Sequence, residues 1–366
     1  MQHTFTRRWS KPVRVGELVV GGNAPITVQS MTNIPAENFK ATLRQVQSLE
    51  RAGCDIVRLA VPTKEAAPVF AYLKENGIRV PLVADIHFDY KIALEAISAG
   101  ADKIRINPGN IGSREKTEQV VRACKDKHIP IRIGVNSGSL EKSLLEKFGG
   151  PTPEALAESA MGHVQILEAL DFEDIVISVK SSNVPGMIQT NRLLAEMCPY
   201  ALHLGVTEAG GLGQGIIKGA VGIGALLAEG IGDTVRVSLT ADPVEEVKAA
   251  QSILHALGLG KPQMDIVSCP TCGRTKINLL ALCEAFEKRI DAEGLRNFPV
   301  KVALMGCAVN GPGEAKEADV GIAGGIDEAL LFRHGVVVAK YPADQIVDIL
   351  TTELKNMKKE REHWKK

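Results

Sequence analysis

The sequence predicts an α/β fold in which a (β/α)8 TIM barrel is followed by a small α/β domain. Short β-branched runs alternate with amphipathic helical stretches eight times between Ile26 and Leu257. Strands separated by helices run parallel, and eight such units in about 230 residues fit a barrel. A doubly wound parallel sheet would show the same alternation, so the side chains have to decide between the two.

Polar side chains share one face of the candidate strands. Residues an even number apart lie on the same face of a strand. The polar pairs are Asp85 with His87, Arg105 with Asn107, Arg132 with Asn136, Ser178 with Lys180, and Arg236 with Ser238. The intervening residues, such as Ile104 and Ile106, are aliphatic and suit contact with surrounding helices. Because barrel enzymes place their chemistry at the carboxyl ends of the strands, this pattern favours the barrel.

Eight strands and two helix starts can be placed on the chain. The candidate strands are Ile26–Met31, Asp55–Val61, Leu82–Ile86, Lys103–Asn107, Pro130–Asn136, Asp174–Lys180, Ala201–Val206 and Thr234–Leu239. After the fifth strand, Thr152 is the expected N-cap and Pro153 the first helical residue. After the eighth, Asp242 and Pro243 repeat this start signal.

Two domains are expected, with a linker marked by Gly258, Gly260 and Pro262. Residues 1–258 form the predicted barrel domain and residues 264–366 the second domain. The second domain is expected to run strand, Cys-rich turn, helix (Lys276–Ile290), strand (Val300–Met305), loop, strand (Val336–Ala339) and helix. Its basic tail, Lys355–Lys366, predicts a frayed and solvated helix end, with binding to acidic partners as the alternative.

Composition excludes several classes of protein. The 366 residues are 45% hydrophobic and 23% charged, as in ordinary globular proteins. With 43 basic against 43 acidic residues and 4% aromatics, no nucleic-acid partner is expected. The longest apolar stretch, Ile216 to Ala228, is shorter than the ~20 residues of a membrane span. No apolar run follows Arg7 and Arg8, and the cysteine count is odd, so we expect a cytoplasmic protein without disulfides.

Five cations lie near the carboxyl ends of five different strands and should converge at the barrel mouth. Only Asp85 and Glu208 offset them locally. A single strand arginine is often part of a structural ion pair, but here the acidic residues are too few. Guanidinium groups bind phosphate oxygens bidentately, so the surplus predicts a phosphorylated substrate, and a diphosphate better than a monophosphate. The cations are Arg58, Arg105, Arg132, Lys180 and Arg236.

Neutral and titratable groups complete the expected site. Asn107, Asn136 and Ser238 add neutral hydrogen-bonding groups. His87 and Glu208 are the candidates for proton transfer, although His87 can equally be an orienting residue. The glycine-rich run that begins at Glu208 could bind phosphate through backbone N–H groups, but such runs are common in loops.

The cysteine pattern indicates a metal centre. Cys269 and Cys272 form a C-x2-C pair, and Cys307 follows in a glycine-rich loop. Zinc usually takes four Cys or His ligands, and no histidine stands near Cys307, so an iron–sulfur cluster fits better. A redox dithiol at Cys269 and Cys272 is the alternative. A four-iron cluster needs a fourth ligand, for which Cys283 and Glu314 both remain open. The other cysteines are expected to be small buried hydrophobic residues; they are Cys54, Cys124 and Cys198.

Taken together, these motifs closely resemble the 4-hydroxy-3-methylbut-2-en-1-yl diphosphate synthase family, over nearly the whole chain. The matching segments are Gln29-Ser-Met-Thr32, Val57-Arg-Leu-Ala60, Ile104-Arg-Ile-Asn-Pro-Gly109, Gly134-Val-Asn-Ser-Gly138, Cys269-Pro-Thr-Cys-Gly-Arg274 and Gly306-Cys-Ala-Val-Asn-Gly-Pro-Gly-Glu-Ala315. The resemblance implies a TIM barrel joined to a domain with one four-iron four-sulfur cluster per chain. It implies cluster ligands Cys269, Cys272, Cys307 and Glu314.

The resemblance also implies a reaction and partners. The substrate would be 2-C-methyl-D-erythritol 2,4-cyclodiphosphate, reductively opened and dehydrated in the non-mevalonate isoprenoid pathway. Electrons would come from ferredoxin or flavodoxin, and the enzyme would be a homodimer whose sites are shared between subunits. Glu208 would lie near the reacting carbons. Substrate contacts would fall on Arg58, His87, Arg105, Asn107, Arg132, Asn136, Lys180, Arg236 and Ser238.

Two other functions remain open from the residues alone. One is a sugar-phosphate aldolase or isomerase whose second domain holds a structural zinc ion. The other is a non-enzymatic iron–sulfur redox sensor, which would not need a cationic barrel mouth.

Overall fold

The computed structural model describes residues 6–307 and 316–363. The chain divides into two compact units, Met1–Gly260 and Lys261–Lys366. Each unit has its own hydrophobic core, so the two are described separately.

The first unit is a closed barrel of eight parallel strands, and the predicted α/β class and TIM barrel are confirmed. Neighbouring strands follow each other in the chain, and the last closes against the first. Before the barrel come β1 (Val13–Val15) and β2 (Leu18–Val20). The barrel strands are β3 (Thr27–Met31), β4 (Ile56–Ala60), β5 (Leu82–Asp85), β6 (Lys103–Ile106), β7 (Ile131–Asn136), β8 (Ile175–Lys180), β9 (Ala201–Leu204) and β10 (Thr234–Val235).

Helices cover the barrel, and the two helix starts that the sequence predicts are found. The Thr152 side chain accepts a hydrogen bond from the Ala155 N–H at 3.2 Å. The Asp242 side chain accepts one from the Val244 N–H at 2.9 Å. Both predicted N-caps are therefore confirmed. The helices are α1 (Phe39–Arg51), α2 (Val69–Glu75), α3 (Tyr90–Ser98), α4 (Arg114–Lys127), α5 (Lys142–Phe148), α6 (Pro153–Glu168), α7 (Val184–Met197), α8 (Leu212–Ala228) and α9 (Pro243–Ala256).

The aliphatic strand residues pack against these helices, as their alternation predicts. Ile104 and Ile106 are buried in one cluster with Leu156 and Val164 of α6. The polar residues that alternate with them therefore face the barrel interior. This division is what brings the charged side chains together.

The eighth strand is shorter than expected. Only Thr234–Val235 belong to the ladder, whereas the sequence predicted a strand to Leu239. The Arg236 N–H still donates to the Leu204 carbonyl at 2.9 Å. Beyond it, the Leu239 N–H donates to the Glu246 carboxylate at 3.0 Å. A side chain of α9 thus replaces the strand partner, which sequence periodicity does not reveal.

A hairpin that the sequence did not predict packs at the amino ends of the barrel strands. Strands β1 and β2 are antiparallel and joined through Gly16, whose φ of +57° favours glycine. Val13 and Val15 are buried in one cluster with Ile56 and Val83. Each strand has only three residues, which is too short for a recognisable period of two.

In its described residues, the second unit is a five-stranded sheet with two α-helices. The sheet order is β11-β12-β13-β14-β15, with parallel pairing up to β13 and antiparallel pairing beyond it. Two strands, β13 and β14, were not expected, because the glycines of β13 are typical of a loop. The elements are β11 (Asp265–Ser268), α10 (Leu279–Ala292), β12 (Lys301–Met305), β13 (Val320–Gly324), β14 (Glu328–Arg333), β15 (Val336–Pro342) and α11 (Ile346–His363).

The expectation of a frayed basic tail from Lys355 onward is wrong for the described residues. Helix α11 continues to His363. Leu354 and Met357 are buried in the core of the second unit. Lys355 Nζ lies 2.8 Å from a Glu293 carboxylate oxygen. The basic residues therefore lie on the outer face of a docked helix; residues 364–366 are outside the described part.

Within the described ranges, none of the helices is both long and apolar enough to cross a membrane.

Candidate functional site

Asp85 is the centre of an ion-pair cluster at the carboxyl ends of the barrel strands. Its side chain is only 2% exposed and pairs with the guanidinium of Arg58. Its other oxygen lies 3.3 Å from Arg105 Nη1. Burial alone would raise the pKa of Asp85, but the Arg58 charge and the hydrogen bonds to His87 and Arg58 hold it well below its usual range. Asp85 therefore stays ionised and serves two guanidinium groups at once.

Arg105 occupies its position because β7 carries a glycine opposite it. A Cβ at Gly134 would lie 2.2 Å from Arg105 Nε, closer than any van der Waals contact allows. The Arg105 Nη2 also donates to the Gly134 carbonyl at 2.6 Å. The Asn107 side-chain oxygen accepts from the Gly134 N–H at 2.8 Å. The glycine thus lets Arg105 lie flat along the neighbouring strand and helps to fix Asn107.

Arg236 has a carboxylate partner, so it does not contribute to the excess of positive charge that the sequence predicted at the barrel mouth. Its Nε and Nη2 lie 3.2 and 3.1 Å from the two carboxylate oxygens of Glu246. Ser30 donates a further hydrogen bond to the same carboxylate at 2.8 Å. Glu246 is buried in the first turn of α9. The expectation that only Asp85 and Glu208 offset the cations is therefore wrong, because it overlooked a helix carboxylate that reaches back to the strand ends.

Arg132 and Lys180 are the uncompensated cations. Arg132 is 1% exposed and Lys180 6%. Arg132 Nε and Nη2 and Lys180 Nζ are buried without a hydrogen-bond partner among the described residues. Burial, and then the neighbouring arginines, lower the pKa of Lys180 well below its ordinary value. Burying charge without a partner is costly, so these groups indicate a site built for an anion.

A sixth cation, Lys103, lies deeper in the barrel and was missed from the sequence. Lys103 is fully buried, and its Nζ has no hydrogen-bond partner in the described chain. Burial, together with the charge of Arg132, lowers the pKa of Lys103 to about 7. Lys103 lies two residues before Arg105 on β6, so the period of two places both side chains on the inner face of the strand. This spacing alone does not single out Lys103, because lysine at a strand start usually faces solvent.

The two candidates for proton transfer occupy different environments. The His87 side chain is 56% exposed, with Nε2 3.5 Å from Asp85 Oδ2 and Nδ1 3.2 Å from Arg105 Nη1. Glu208 is exposed in the loop before α8, with φ +52°. No ion pair of Glu208 is found among the described residues. Asn136 and Ser238 are half-buried at the ends of their segments.

In the second unit, Cys269, Cys272 and Cys307 line one cavity of about 160 Å³. The Gly306 N–H donates to Cys269 Sγ at 3.2 Å. Hydrogen bonds from the Arg274 backbone and side chain lower the pKa of the Cys272 thiol. Both effects favour thiolates, which are the ligands that iron–sulfur clusters require.

Three cysteines around one cavity are a donor set that suits an iron–sulfur cluster. In residues 6–307 and 316–363, no three His, Cys, Asp or Glu side chains lie close enough to hold one metal ion. Cys283 is half-buried against the core, and burial raises the pKa of its thiol. Glu314, the other candidate fourth ligand, lies outside the described residues.

The remaining cysteines are buried, as predicted. Cys54, Cys124 and Cys198 all lie in the barrel core. Burial raises the pKa of both Cys54 and Cys124 to about 12, so their thiols remain protonated.

Family comparisons match both units. The GcpE TIM-barrel domain covers residues 10–251, and the GcpE protein C-terminal domain covers residues 265–356. The chain belongs to the GcpE family. The family match therefore includes both the barrel mouth and the three-cysteine cavity.

Several similar proteins are 4-hydroxy-3-methylbut-2-en-1-yl diphosphate synthases (flavodoxin). That of Ruminiclostridium cellulolyticum is 54% identical over 98% of this GcpE chain and 100% of its own length. That of Clostridium perfringens is 56% identical over 94% of this chain and 98% of its own. That of Geobacillus thermodenitrificans is 52% identical over 98% and 95%. Among solved structures, a dihydropteroate synthase from Xanthomonas albilineans covers 68% of this chain and 99% of its own at 14% identity, with a TM-score of 0.47.

The charge pairing of the mouth predicts opposite stability effects for two similar substitutions. Arg132→Met removes a buried cation without a carboxylate partner, so we expect the free energy of unfolding to rise by about 1–3 kcal/mol. Arg236→Met leaves the Glu246 carboxylate buried and unpaired, so we expect a loss of about 3–5 kcal/mol. Denaturant unfolding followed by circular dichroism measures both. A destabilised Arg132→Met protein would show that Arg132 has a compensating partner.

Proposed function

We propose that this chain catalyses the reductive ring opening and dehydration of 2-C-methyl-D-erythritol 2,4-cyclodiphosphate to 4-hydroxy-3-methylbut-2-enyl diphosphate. The chain is an iron–sulfur oxidoreductase of isoprenoid biosynthesis. The observation that carries this conclusion is the 54% identity to a synthase of that product along its entire length. The barrel mouth and the three-cysteine cavity supply the two chemical parts that such a reaction needs.

The buried cations of the mouth account for binding of the diphosphate. Both phosphates of the substrate carry negative charge and offer several acceptor oxygens. Arg132 and Lys180 have unused donors, and Arg58 has a free Nε. Guanidinium groups bind such oxygens with two parallel hydrogen bonds. The proposed substrate contacts are Arg58, Arg105, Asn107, Arg132, Asn136, Lys180, Arg236 and Ser238.

The reaction consumes two electrons and one proton. The bond between carbon 2 and its phosphate oxygen breaks, and the phosphate leaves as an anion. The hydroxyl on carbon 3 takes the proton and leaves as water, and a double bond forms between carbons 2 and 3. We assign the proton to Glu208, which is exposed and outside the ion-pair cluster. His87, held between Asp85 and Arg105, orients the leaving group or shares the proton transfer.

Three cysteines and one glutamate would hold one four-iron four-sulfur cluster per chain. The proposed ligands are Cys269, Cys272, Cys307 and Glu314. When bound, the cluster supplies electrons one at a time. The Gly306 N–H, which contacts Cys269 Sγ, would raise the reduction potential by stabilising negative charge on sulfur. In this proposal residues 1–258 bind the substrate and residues 264–366 hold the cluster.

The proposed partners follow from the same chemistry. Flavodoxin is the electron donor named for the relatives, and ferredoxin is the alternative. We propose a cytoplasmic homodimer with sites shared between subunits and without nucleic-acid or membrane partners. The aldolase or isomerase with a structural zinc ion gains no support from the cysteine spacing. A redox sensor does not need the buried cations of the barrel mouth, so that function does not account for them.

Turnover by the anaerobically purified holoenzyme tests the proposed function. We expect visible absorbance, about four irons and four sulfides per chain, and conversion of the cyclic diphosphate when reduced flavodoxin is added. Phosphorus NMR of the product measures the conversion. Cys269→Ser should lose both the cluster and turnover, while the control Cys124→Ser should keep both. A colourless zinc protein, or an iron–sulfur protein that leaves the substrate unchanged, would refute the proposal.

The identity of the fourth cluster ligand gives a second test. Glu314→Ala should lose or destabilise the cluster, because one iron loses its protein ligand. Cys283→Ala should keep full iron content and lose only about 0.5–1.5 kcal/mol of stability, because it leaves a small cavity. Iron analysis and unfolding curves of both variants measure this. Loss of iron in Cys283→Ala with full iron in Glu314→Ala would exchange the two assignments.

A further inference from the structure

A cavity of about 780 Å³ lies between α5, α6 and α7, away from the barrel interior. Most of its lining is apolar, and nothing in it indicates a particular ligand. One polar cluster is nevertheless set into its wall. The cluster consists of His163 and Ser159 on α6, Glu141 before α5, and the backbone of Gly109 after β6.

The contacts of His163 define its tautomer. The imidazole is 6% exposed. The Gly109 N–H donates to Nδ1 at 3.2 Å, so Nδ1 carries no hydrogen. Nε2 therefore carries it and lies 3.3 Å from a Glu141 carboxylate oxygen. The other oxygen of Glu141 accepts from the Ser159 hydroxyl at 2.8 Å. The neutral ring thus accepts one hydrogen bond at Nδ1 and places its Nε2–H beside the Glu141 carboxylate.

The two partners of His163 belong to two loops of the barrel mouth. Gly109 lies in a one-turn 3-10 helix, Pro108–Asn110, which directly follows Asn107. Glu141 is the N-cap residue of α5 and ends the short segment that follows Asn136. A Cβ at Gly109 would lie 2.9 Å from His163 Cε1, so the loop is closely packed on the ring. His163 therefore joins the segments that carry both asparagines.

We propose that neutral His163 is a positioning residue that holds the Asn107 loop in its substrate-binding position through the Gly109 N–H, and that its protonation releases this loop after β6. This inference rests on the proposed function, in which both asparagines contact the substrate. In the imidazolium form Nδ1 also carries a hydrogen. Two donors, Nδ1–H and the Gly109 N–H, then face each other, while the contact with Glu141 persists as an ion pair.

Burial and the charged groups around the ring act on the pKa of His163 in opposite directions. Glu141 faces it from the loop before α5, and Glu154 and Glu158 lie on α6 itself. Lys147 of α5 is paired with Glu158 at 2.6 Å. The cavity residues of α7 and of the loop after β6 are uncharged in the described structure. Burial lowers the pKa of His163 below 6.5, with Glu141 opposing this, so the neutral form prevails at neutral pH and the loop is released only on acidification.

Two substitutions separate the two contacts of the ring. In His163→Asn the amide oxygen takes the place of Nδ1 and can still accept from Gly109. In His163→Gln the amide nitrogen takes the place of Nε2 and can still donate to Glu141, but the acceptor for Gly109 is lost. We expect KM for the cyclic diphosphate to rise about 5- to 10-fold in His163→Gln, the loss of one backbone hydrogen bond, and to stay within about 2-fold of wild type in His163→Asn.

The pH profile gives a readout that a purely structural role would not change. The wild-type KM should rise on acidification, and this rise should be absent in His163→Asn, which cannot titrate. Hydrogen exchange of residues 107–112 should be faster in His163→Gln than in wild type at the same pH. Equal KM values in the two variants, or an unchanged acid limb in His163→Asn, would overturn the proposal.

Two controls keep the outcome clear. Wild-type turnover is measured first, because its absence would refute the proposed function, while the exchange comparison would still test the loop contact. If His163→Gln does not fold, Gly109→Ala replaces it. The added Cβ displaces the ring, and we expect the same rise in KM, with unchanged iron content. A wild-type KM in Gly109→Ala would contradict the assignment.

Discussion

The site depends on positive charge that is buried in the barrel without enough negative charge to balance it. Asp85 serves Arg58 and Arg105, and Glu246 serves Arg236, but Arg132 and Lys180 have no carboxylate of their own among the described residues. Folding must supply the free energy that holds these groups away from water. A protein keeps such an arrangement where a ligand completes it. In the function proposed above, a diphosphate with two negative charges would do so.

The rest of the barrel serves this arrangement. The helices pack against aliphatic residues on the outer face of the strands, so the inner face is available for polar side chains. Gly134 leaves room for the Arg105 guanidinium, and Glu246 replaces the strand partner of Leu239 while it pairs with Arg236. Gly134 and Glu246 therefore determine both the backbone conformation and the position of the charged side chains near them. The functional groups of the second unit are thiols instead of guanidinium groups. Its three cysteines line one cavity, and the Gly306 N–H favours the thiolate form of Cys269.

The sequence predicts this fold well wherever short-range pattern determines structure. Period-two alternation placed the inward residues of β6 and β7, and capping signals placed the starts of α6 and α9. Three features lay beyond such patterns. The pairing of Glu246 with Arg236 depends on a helix residue that reaches back to a strand. The glycines of β13 are typical of a loop, and the hydrogen bond between Gly109 and His163 joins residues 54 positions apart. In each case a tertiary contact, rather than local propensity, decides the outcome. The residues leave both Cys283 and Glu314 open as the fourth cluster ligand, the family resemblance favours Glu314, and the choice stays a prediction.

The claim that an anion completes the buried charge is tested most directly by proton uptake. Calorimetric titration of the holoenzyme with the cyclic diphosphate, without reductant and in two buffers of different ionisation enthalpy, measures it. In the free protein, burial and neighbouring cations lower the pKa of Lys103 and Lys180. The bound dianion should raise both, so at about pH 8 we expect uptake of about one proton per barrel, reduced in Lys180→Met. Binding without net proton uptake would show that both lysines already carry their protons in the free barrel, so the buried charge would need no anion and the account would be wrong.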